Sequence, residues 1–285
     1  AYPNVITRCT PSNKLDILQW MQSKNYVCAM TGDGVNDSPS LNHADVGIAM
    51  GTGTSVAKEA ADIVLLDDAF PSIVTGVKWG RSLYKNIQNF LYLQLSINIS
   101  ACLIAVFSPL VGITMPFTVT QFLWINLVMD SLAAIALASE PADEKVLLDK
   151  PRDKKEFIIN KSLGKAIFGF GGFIWALCLT ILFGMEHTDF LKECGLNTLA
   201  NFFEEINLTI FFATYMCINW WNMFNARVVG KNKSIFNGLL KNSKFIGILV
   251  FILVVTIIIV QVGGEVFNTQ PLSLNTWLTI ILATS

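Results

Sequence analysis

The segment TGDGVND, at residues 31–37, places Asp33 and Asp37 four residues apart among glycines. Because Gly32 and Gly34 have no side chain, the backbone there can approach a ligand closely. Two carboxylates at this spacing can hold a hard cation such as Mg²⁺, which proteins usually bind through one or two carboxylates together with phosphate oxygens. Lys14, farther upstream, can neutralise a phosphate group as a point charge.

A bare G-D-G is more often a glycine-rich turn with solvated acids than a site. The full eleven-residue string TGDGVNDSPSL favours the second interpretation, a phosphate site that uses magnesium.

The elements around this segment predict a sheet that positions the two aspartates. Short apolar runs that end in turn residues are typical of buried parallel strands. Three such runs are present: YVCAMTG (26–32), VGIAM (46–50) and DIVLLDD (62–68). TSVAKEAA (54–61) predicts a short helix, and SNKLDILQWMQSKN (12–25) predicts an amphipathic helix with Ser12 as its possible N-cap. This alternation predicts an α/β unit with a parallel sheet and with Asp33 at the carboxyl edge of that sheet.

The composition of the whole chain indicates a membrane protein. Hydrophobic residues make up 53% of the 285 residues, charged residues make up 14%, and the mean hydropathy is +0.52. A soluble domain usually has about 25% charged residues. The 20 basic and 21 acidic residues form no strong basic stripe, which argues against a nucleic-acid partner. The six cysteines contain no C-x-x-C pair and indicate neither a disulfide framework nor a zinc site.

The chain divides into two predicted domains, a mixed α/β part at 1–85 and a membrane part at 86–285. Predominantly apolar runs close to the ~20 residues that a bilayer requires predict membrane spans. These lie at 88–107, 117–137, 166–185, 206–226 and 245–264, and the chain ends within a sixth, incomplete span after Pro271. The sequence begins with Ala1-Tyr2-Pro3 rather than methionine, so we interpret it as part of a longer protein.

The charges of the loops predict an orientation. The loops at 143–161 and 227–244 are rich in Lys and Arg, whereas the intervening loop at 186–205 has one lysine and five acids. The positive-inside rule places the basic loops, and with them the α/β part, in the cytoplasm.

The segments TGDGVNDSPSL, ADVGIAMG and AADIVLLDD closely resemble the hinge and phosphorylation-domain signature of P-type ATPases, which have a haloacid dehalogenase-like fold. TPSNK resembles the upstream motif whose lysine meets the phosphoryl group, and that lysine is Lys14. The resemblance implies that Asp33 binds the catalytic Mg²⁺ and that Asn36 and Asp37 line the phosphoryl site, with Gly32 beside it. It also implies that residues 1–85 are the C-terminal part of a Rossmann-type phosphorylation domain.

The family forms its phosphorylated intermediate on the aspartate of a D-K-T-G motif, which this sequence does not contain. The nucleophile is therefore expected upstream of Ala1, together with the actuator domain, the nucleotide-binding domain that holds most of the ATP, and the first four membrane helices. The membrane part then corresponds to helices 5 to 9 and a truncated helix 10.

Ionisable residues inside membrane spans are functional candidates, and the first two spans contain one, Asp130. Asn126 lies one helical turn before it and is expected on the same face of the helix, and Asn98 lies near the middle of the preceding span. Three oxygen-bearing side chains could thus converge on a hard cation such as Ca²⁺. Alternatively, the asparagines hydrogen-bond between helices.

The membrane part resembles Ca²⁺ pumps most, and among them the plasma-membrane type. INLVMD (125–130) is similar to the calcium motif of the sixth helix, and NMFNAR (222–227) and IVQVGGEVF (259–267) are similar to late-helix sequences of that branch. Ala101 stands where two-site pumps have a glutamate. The resemblance implies one transported Ca²⁺ per cycle, with the remaining ligands from the absent fourth helix, and a location in the plasma membrane.

Two alternatives stay open. Oxygen ligands at these positions could serve a Na⁺ or H⁺ pump, and a chain without D-K-T-G could be a membrane fragment without catalysis. A D-K-T-G motif in the upstream coding sequence would exclude the second alternative.

Overall fold

The computed structural model describes residues 6–113, 115–150, 152, 156–204, 206–230, 234–236 and 238–285. Its contacts divide the chain into two compact units. The first combines residues 1–82 with 142–157, and the second combines residues 83–141 with 158–285. Each unit is described by itself.

The first unit contains a three-stranded parallel sheet. The strands are β1 (Ala29–Gly32), β2 (Val46–Met50) and β3 (Ile63–Leu65), in the spatial order β1-β2-β3. Ala29 of β1 pairs with Val46 of β2, and Ile48 of β2 pairs with Ile63 of β3. The helices around it are α1 (Pro11–Ser23), α2 (Ser38–His43) and α3 (Ser55–Ala60). The predicted α/β unit and its parallel sheet are confirmed.

The N-cap prediction for the first helix is wrong. The cap is Thr10, whose hydroxyl accepts a hydrogen bond from the Asn13 amide at 3.2 Å, because Pro11 occupies the first helical position and Ser12 already lies inside the helix. The short helix α2 is an element that the sequence analysis did not predict. It packs against α1 and the sheet and contributes the buried Leu41 to the core of this unit, whose other buried apolar residues include Leu18, Cys28, Ile48, Ala49, Ala57 and Leu65.

The second unit is helical. The long helix α4 (Phe70–Phe107) begins in the first unit and continues into this one. The remaining helices are α5 (Val119–Leu123), α6 (Asp130–Ala138), α7 (Lys161–Glu186), α8 (Thr188–Glu193), α9 (Asn197–Glu204), α10 (Leu208–Val228), α11 (Ser243–Val262), α12 (Gly264–Phe267) and α13 (Leu274–Ala283). A π-helix at Trp124–Met129 joins α5 to α6. Short 3₁₀ turns lie at Val35–Asp37, Ser108–Val111, Glu144–Leu148 and Leu239–Lys241.

Four described segments have the length and apolar composition of a membrane span: Phe70–Val111, Val119–Ala138, Lys161–Glu186 and Ser243–Val262. They match four of the predicted spans. The remaining predicted span, 206–226, forms α10, which has 21 residues but is not among these four. Its asparagines and other polar residues lower its hydropathy.

Helix α10 is largely buried and holds its neighbours by side-chain hydrogen bonds to their backbone carbonyls. Trp220 donates to Leu249 of α11 at 2.9 Å, and the Tyr215 hydroxyl donates to Ile97 of α4 at 3.1 Å. The polar residues of α10 therefore face other helices, which is the usual arrangement of polar side chains in a membrane bundle.

Parts of the two basic loops used for the orientation fall outside the described residues, at 151, 153–155, 231–233 and 237. The cytoplasmic orientation stays a prediction.

Candidate functional site

Asp37 is fixed at the end of β1 by the backbone around it. The carboxylate is buried, and its Oδ2 accepts hydrogen bonds from the backbone amides of Asp33 and Gly34, both at 3.3 Å. A side chain at Gly32 would place its Cβ 2.4 Å from the Cβ of Asp37, far inside contact distance. Glycine is therefore required at 32 so that Asp37 can pack against the end of the strand.

Lys14 on α1 completes the surroundings of this carboxylate. Its Nζ donates to Asp37 Oδ1 at 2.5 Å. This hydrogen bond raises the pKa of Lys14 above its ordinary value, even though desolvation opposes the shift. Burial alone would raise the pKa of Asp37, but the Lys14 ammonium and the two backbone amides outweigh it, so that the pKa is lowered. Both groups are therefore charged at neutral pH.

Asp33 differs from Asp37 in its surroundings. Its side chain is exposed and has no hydrogen-bond or ion-pair partner among the described residues, whereas its carbonyl accepts from the Thr54 amide at 2.8 Å. Asn36 in the adjoining turn is also exposed. An open carboxylate at the carboxyl edge of a parallel sheet, beside a lysine ammonium, can hold a hydrated cation together with a phosphate.

The five predicted residues of the phosphate and magnesium site lie together in this turn and on α1. Lys14 and Asp37 are joined directly, and Gly32, Asp33 and Asn36 flank Asp37. Both oxygens of Asp37 have protein partners, so direct binding of Mg²⁺ by Asp37 would require one of these bonds to be given up. This leaves Asp33 as the better placed metal ligand.

Asp130 is a buried carboxylate that has no partner among the described residues. It begins α6, its residue is 3% exposed, and neither carboxylate oxygen has a hydrogen-bond partner among the described residues. Burying a charged group in this way is costly unless something compensates it. An uncompensated carboxylate inside a helical bundle is the usual sign of a functional site rather than of packing.

The two asparagines predicted beside Asp130 are placed differently. Asn126 lies in the π-helix, so the expected regular α-helical turn between Asn126 and Asp130 is not present, and Asn126 is exposed while Asp130 is buried. Asn98 on α4 is exposed as well. Within the described part of the chain, Asp130, Asn126 and Asn98 therefore do not form one enclosed group of ligands. Their joint role as ligands stays a prediction.

Helix α10 contains polar groups that the sequence analysis missed. Among the described residues, the fully buried amide of Asn222 has no hydrogen-bond partner at either atom. The buried Asn219 donates to the Tyr215 carbonyl at 2.8 Å, while its own oxygen has no partner there. The signal was present in the sequence, because Asn219 and Asn222 are three residues apart and so lie on adjoining parts of one helix face. The sequence analysis assigns this run to a membrane span and compares NMFNAR (222–227) with late-helix sequences, but it gives neither asparagine a role.

Comparison with known families identifies the class of protein. A family described as "Cation transporting ATPase, C-terminus" matches residues 114–285, and a family described as "haloacid dehalogenase-like hydrolase" matches residues 15–74. The first match covers more than half of the chain. The chain belongs to the cation-transporting P-type ATPases and corresponds to their C-terminal part.

Individual relatives are plasma-membrane-type calcium pumps. The chain is 38% identical over 280 residues to plasma membrane calcium-transporting ATPase 2 of Oreochromis mossambicus and 39% identical over 280 residues to plasma membrane calcium-transporting ATPase 1 of Homo sapiens. It is 38% identical over 282 residues to calcium-transporting ATPase 8, plasma membrane-type, of Arabidopsis thaliana. Each alignment covers 96% of this chain but only 23–25% of the relative, so the chain spans about a quarter of their length.

Proposed function

We propose that this chain is the C-terminal portion of an ATP-driven pump that exports Ca²⁺ across the plasma membrane through an aspartyl-phosphate intermediate. The observation on which the ion assignment depends is Asp130, which is buried in the helical unit and has no partner among the residues that the structure describes. A hard divalent cation, which prefers oxygen ligands, would compensate the buried negative charge of Asp130. The names of the relatives, all calcium-transporting, support the same ion.

In this proposal the first unit is part of a Rossmann-type phosphorylation domain that faces the cytoplasm. Asp33 would hold Mg²⁺, which would supply positive charge next to the transferring phosphoryl group. Lys14 contacts that group as a cation, and Asp37 keeps the lysine in place through the 2.5 Å hydrogen bond. Asn36 lines the phosphoryl site. The phosphorylated aspartate and most of the ATP site belong to segments outside this sequence.

In the helical unit, Asp130 is one ligand of a single Ca²⁺. Asn126 and Asn98, both exposed within the described chain, are accessible to a cation or to a further segment that completes the site. The buried Ala101 supplies no carboxylate on α4. One charged ligand from these two helices is consistent with one ion per cycle.

The test is phosphoenzyme formation by the full-length protein in membrane vesicles. Phosphorylation from ATP should require Mg²⁺ and should be activated by Ca²⁺, but not by Na⁺ or by low pH alone. Asp33→Asn should abolish it, since the amide removes the charge that binds Mg²⁺ with little change in volume. Asp16→Asn on α1, an exposed acid close to Lys14 in the sequence, is the matched control and should keep wild-type activity.

Activation by Na⁺ or by protons would support the other ion alternatives, and absence of any phosphoenzyme in the full-length protein would support a fragment without catalysis. Normal phosphorylation in Asp33→Asn would refute the Mg²⁺ assignment.

A further inference from the structure

A buried ion pair joins the end of α6 to the end of α10. Arg227 Nε donates to Glu140 Oε1 at 2.6 Å, and its Nη2 donates to Oε2 at 3.3 Å, which gives a two-pronged contact. The side chains are 4% and 10% exposed, respectively. Such bidentate geometry fixes the relative orientation of the two groups as well as their distance.

A third helix is tied to the same carboxylate. Asn242 donates to Glu140 Oε1 at 3.1 Å and to the Ser139 carbonyl at 3.3 Å, while its own Oδ1 caps α11 by accepting from the Phe245 amide at 3.0 Å. The Arg227 guanidinium lies over the Phe245 ring, 4.9 Å from its centre. On α4, Asn86 donates to the Glu140 carbonyl at 3.2 Å.

The ion pair lies at corresponding ends of the two helices. Glu140 follows the C-terminus of α6, and Arg227 is in the last turn of α10. Asp130 is ten residues before Glu140, about 15 Å along a helix, and Asn219 is eight residues before Arg227, about 12 Å. The pair therefore fixes the axial position of α6 relative to α10, and with it the relative positions of the buried polar groups on the two helices.

We infer that the Glu140–Arg227 pair is a positioning device that fixes the axial register of α6 against α10 and thereby the place at which Asp130 meets the transported cation. This inference rests on the proposed function. Neither residue touches the cation. Glu140 acts through the turns of α6 that separate it from Asp130, and Arg227 acts through the turns of α10 that separate it from Asn219.

A buried ion pair is weak evidence for stability, because well-packed apolar residues often stabilise as much or more. Its value here is geometric, since an ion pair with fixed hydrogen bonds allows one register, whereas an apolar contact tolerates several. A purely structural role would change the amount of folded pump without changing the Ca²⁺ affinity of the folded molecules. The two roles can therefore be separated by measurement.

The test is a double-mutant cycle in the full-length pump, with Glu140→Gln, Arg227→Gln and both together. The readouts are the Ca²⁺ concentration that half-activates phosphorylation from ATP, and the level of phosphoenzyme formed from inorganic phosphate without Ca²⁺, which counts folded molecules. We expect each single variant to need on the order of 10-fold more Ca²⁺, within the range that residues remote from a ligand exert. The double variant should lose about as much as one single variant, because the pair acts as a unit.

Glu204→Gln is the matched control, since it removes one partner of the exposed Lys192–Glu204 ion pair, and it should leave the affinity unchanged. Affinity within 2-fold of wild type in the Glu140 and Arg227 variants, or losses that multiply in the double variant, would overturn the inference. If the single variants fail to fold, the double variant, which leaves no buried charge unpaired, is measured alone, and wild-type affinity in it overturns the inference. A wild-type pump without Ca²⁺-dependent phosphorylation would instead refute the proposed function, and the inference with it.

Discussion

Replacing Asp130 by asparagine should change the pump in opposite directions with and without Ca²⁺. Asp130 is 3% exposed, and its carboxylate has no partner among the described residues. A charged aspartate at the centre of a membrane helix costs about 2.5–3.5 kcal/mol on insertion scales. Asp130→Asn removes the charge and keeps one oxygen, so the ion-free protein should become more stable by up to about that amount.

The effect with Ca²⁺ has the other sign. A ligand at 100 times its dissociation constant stabilises the state that binds it by about 2.7 kcal/mol. If Asp130 supplies the charge that attracts the ion, wild type should gain this stabilisation and Asp130→Asn should gain none. Loss of an interaction worth about 2.5–3.5 kcal/mol lowers affinity on the order of 100-fold.

Two assays measure these effects on the full-length protein. Thermal inactivation of detergent-solubilised pump, with chelator and with saturating Ca²⁺, reports the two stabilities. Phosphorylation from ATP reports Ca²⁺ activation and should be lost, while phosphorylation from inorganic phosphate should survive because it uses the cytoplasmic site and the ion-free state. Ser131→Ala is a suitable control, because the Ser131 hydroxyl already donates to the Leu127 carbonyl of the preceding π-helix at 2.6 Å.

Wild-type Ca²⁺ activation in Asp130→Asn would refute the reasoning, since the ion site would then lie elsewhere. A lower stability of the variant in chelator would show that the carboxylate has a compensating partner beyond the described residues.

Two further predictions concern the number of bound ions and the Lys14–Asp37 ion pair. Equilibrium ⁴⁵Ca²⁺ binding to the full-length pump should saturate at one ion per chain, because the buried Ala101 provides no second carboxylate, and a reproducible value of two would contradict this. Lys14→Met should abolish phosphoenzyme formation from ATP and destabilise the protein by only about 1 kcal/mol, since the lysine is partly exposed and its ion pair is screened by solvent. The stability difference from wild type, measured by denaturant unfolding, should not change between about pH 5 and pH 9. The lowered pKa of Asp37 contributes stability above about pH 3.9, and this contribution is lost as the pH falls through the folded-state pKa. The raised pKa of Lys14 contributes stability below about pH 10.4, and this contribution is lost as the pH rises through the folded-state pKa. A difference that grows steadily across this interval would contradict the pairing.

The sheet was predictable because local signals and the global fold agree there. Each strand is a short apolar run that ends in turn residues, and parallel pairing follows from the helices between the strands. The cap was not predictable from the residue type, since both Thr10 and Ser12 are good caps, and the choice depends on where Pro11 starts the helix. The position of Lys14 against Asp37 depends on how α1 packs, which no local pattern encodes.

The helical unit shows where hydropathy loses information. Length and apolar composition identify four described spans, but they do not predict which side chains contact each other across helices. The sequence indicated the charge of Asp130 but not the π-helix before it, which separates Asn126 from Asp130 in burial. The Glu140–Arg227 pair joins residues 87 positions apart and could not be inferred from either segment alone.

The two aspartates of the TGDGVND segment differ in burial and in hydrogen bonding, and this difference suits them to different roles. Asp37 is buried, and each of its oxygens already accepts a hydrogen bond, one from a lysine and the other from two backbone amides. A carboxylate in that position stays ionised and orders its neighbours, but it has little capacity left for a metal. Asp33, one turn away, is exposed and without a side-chain partner among the described residues, so its charge is available to a cation. The spacing of four residues in a glycine-rich turn thus yields one carboxylate that builds the site and one that can bind Mg²⁺, and Gly32 is the residue that lets them coexist.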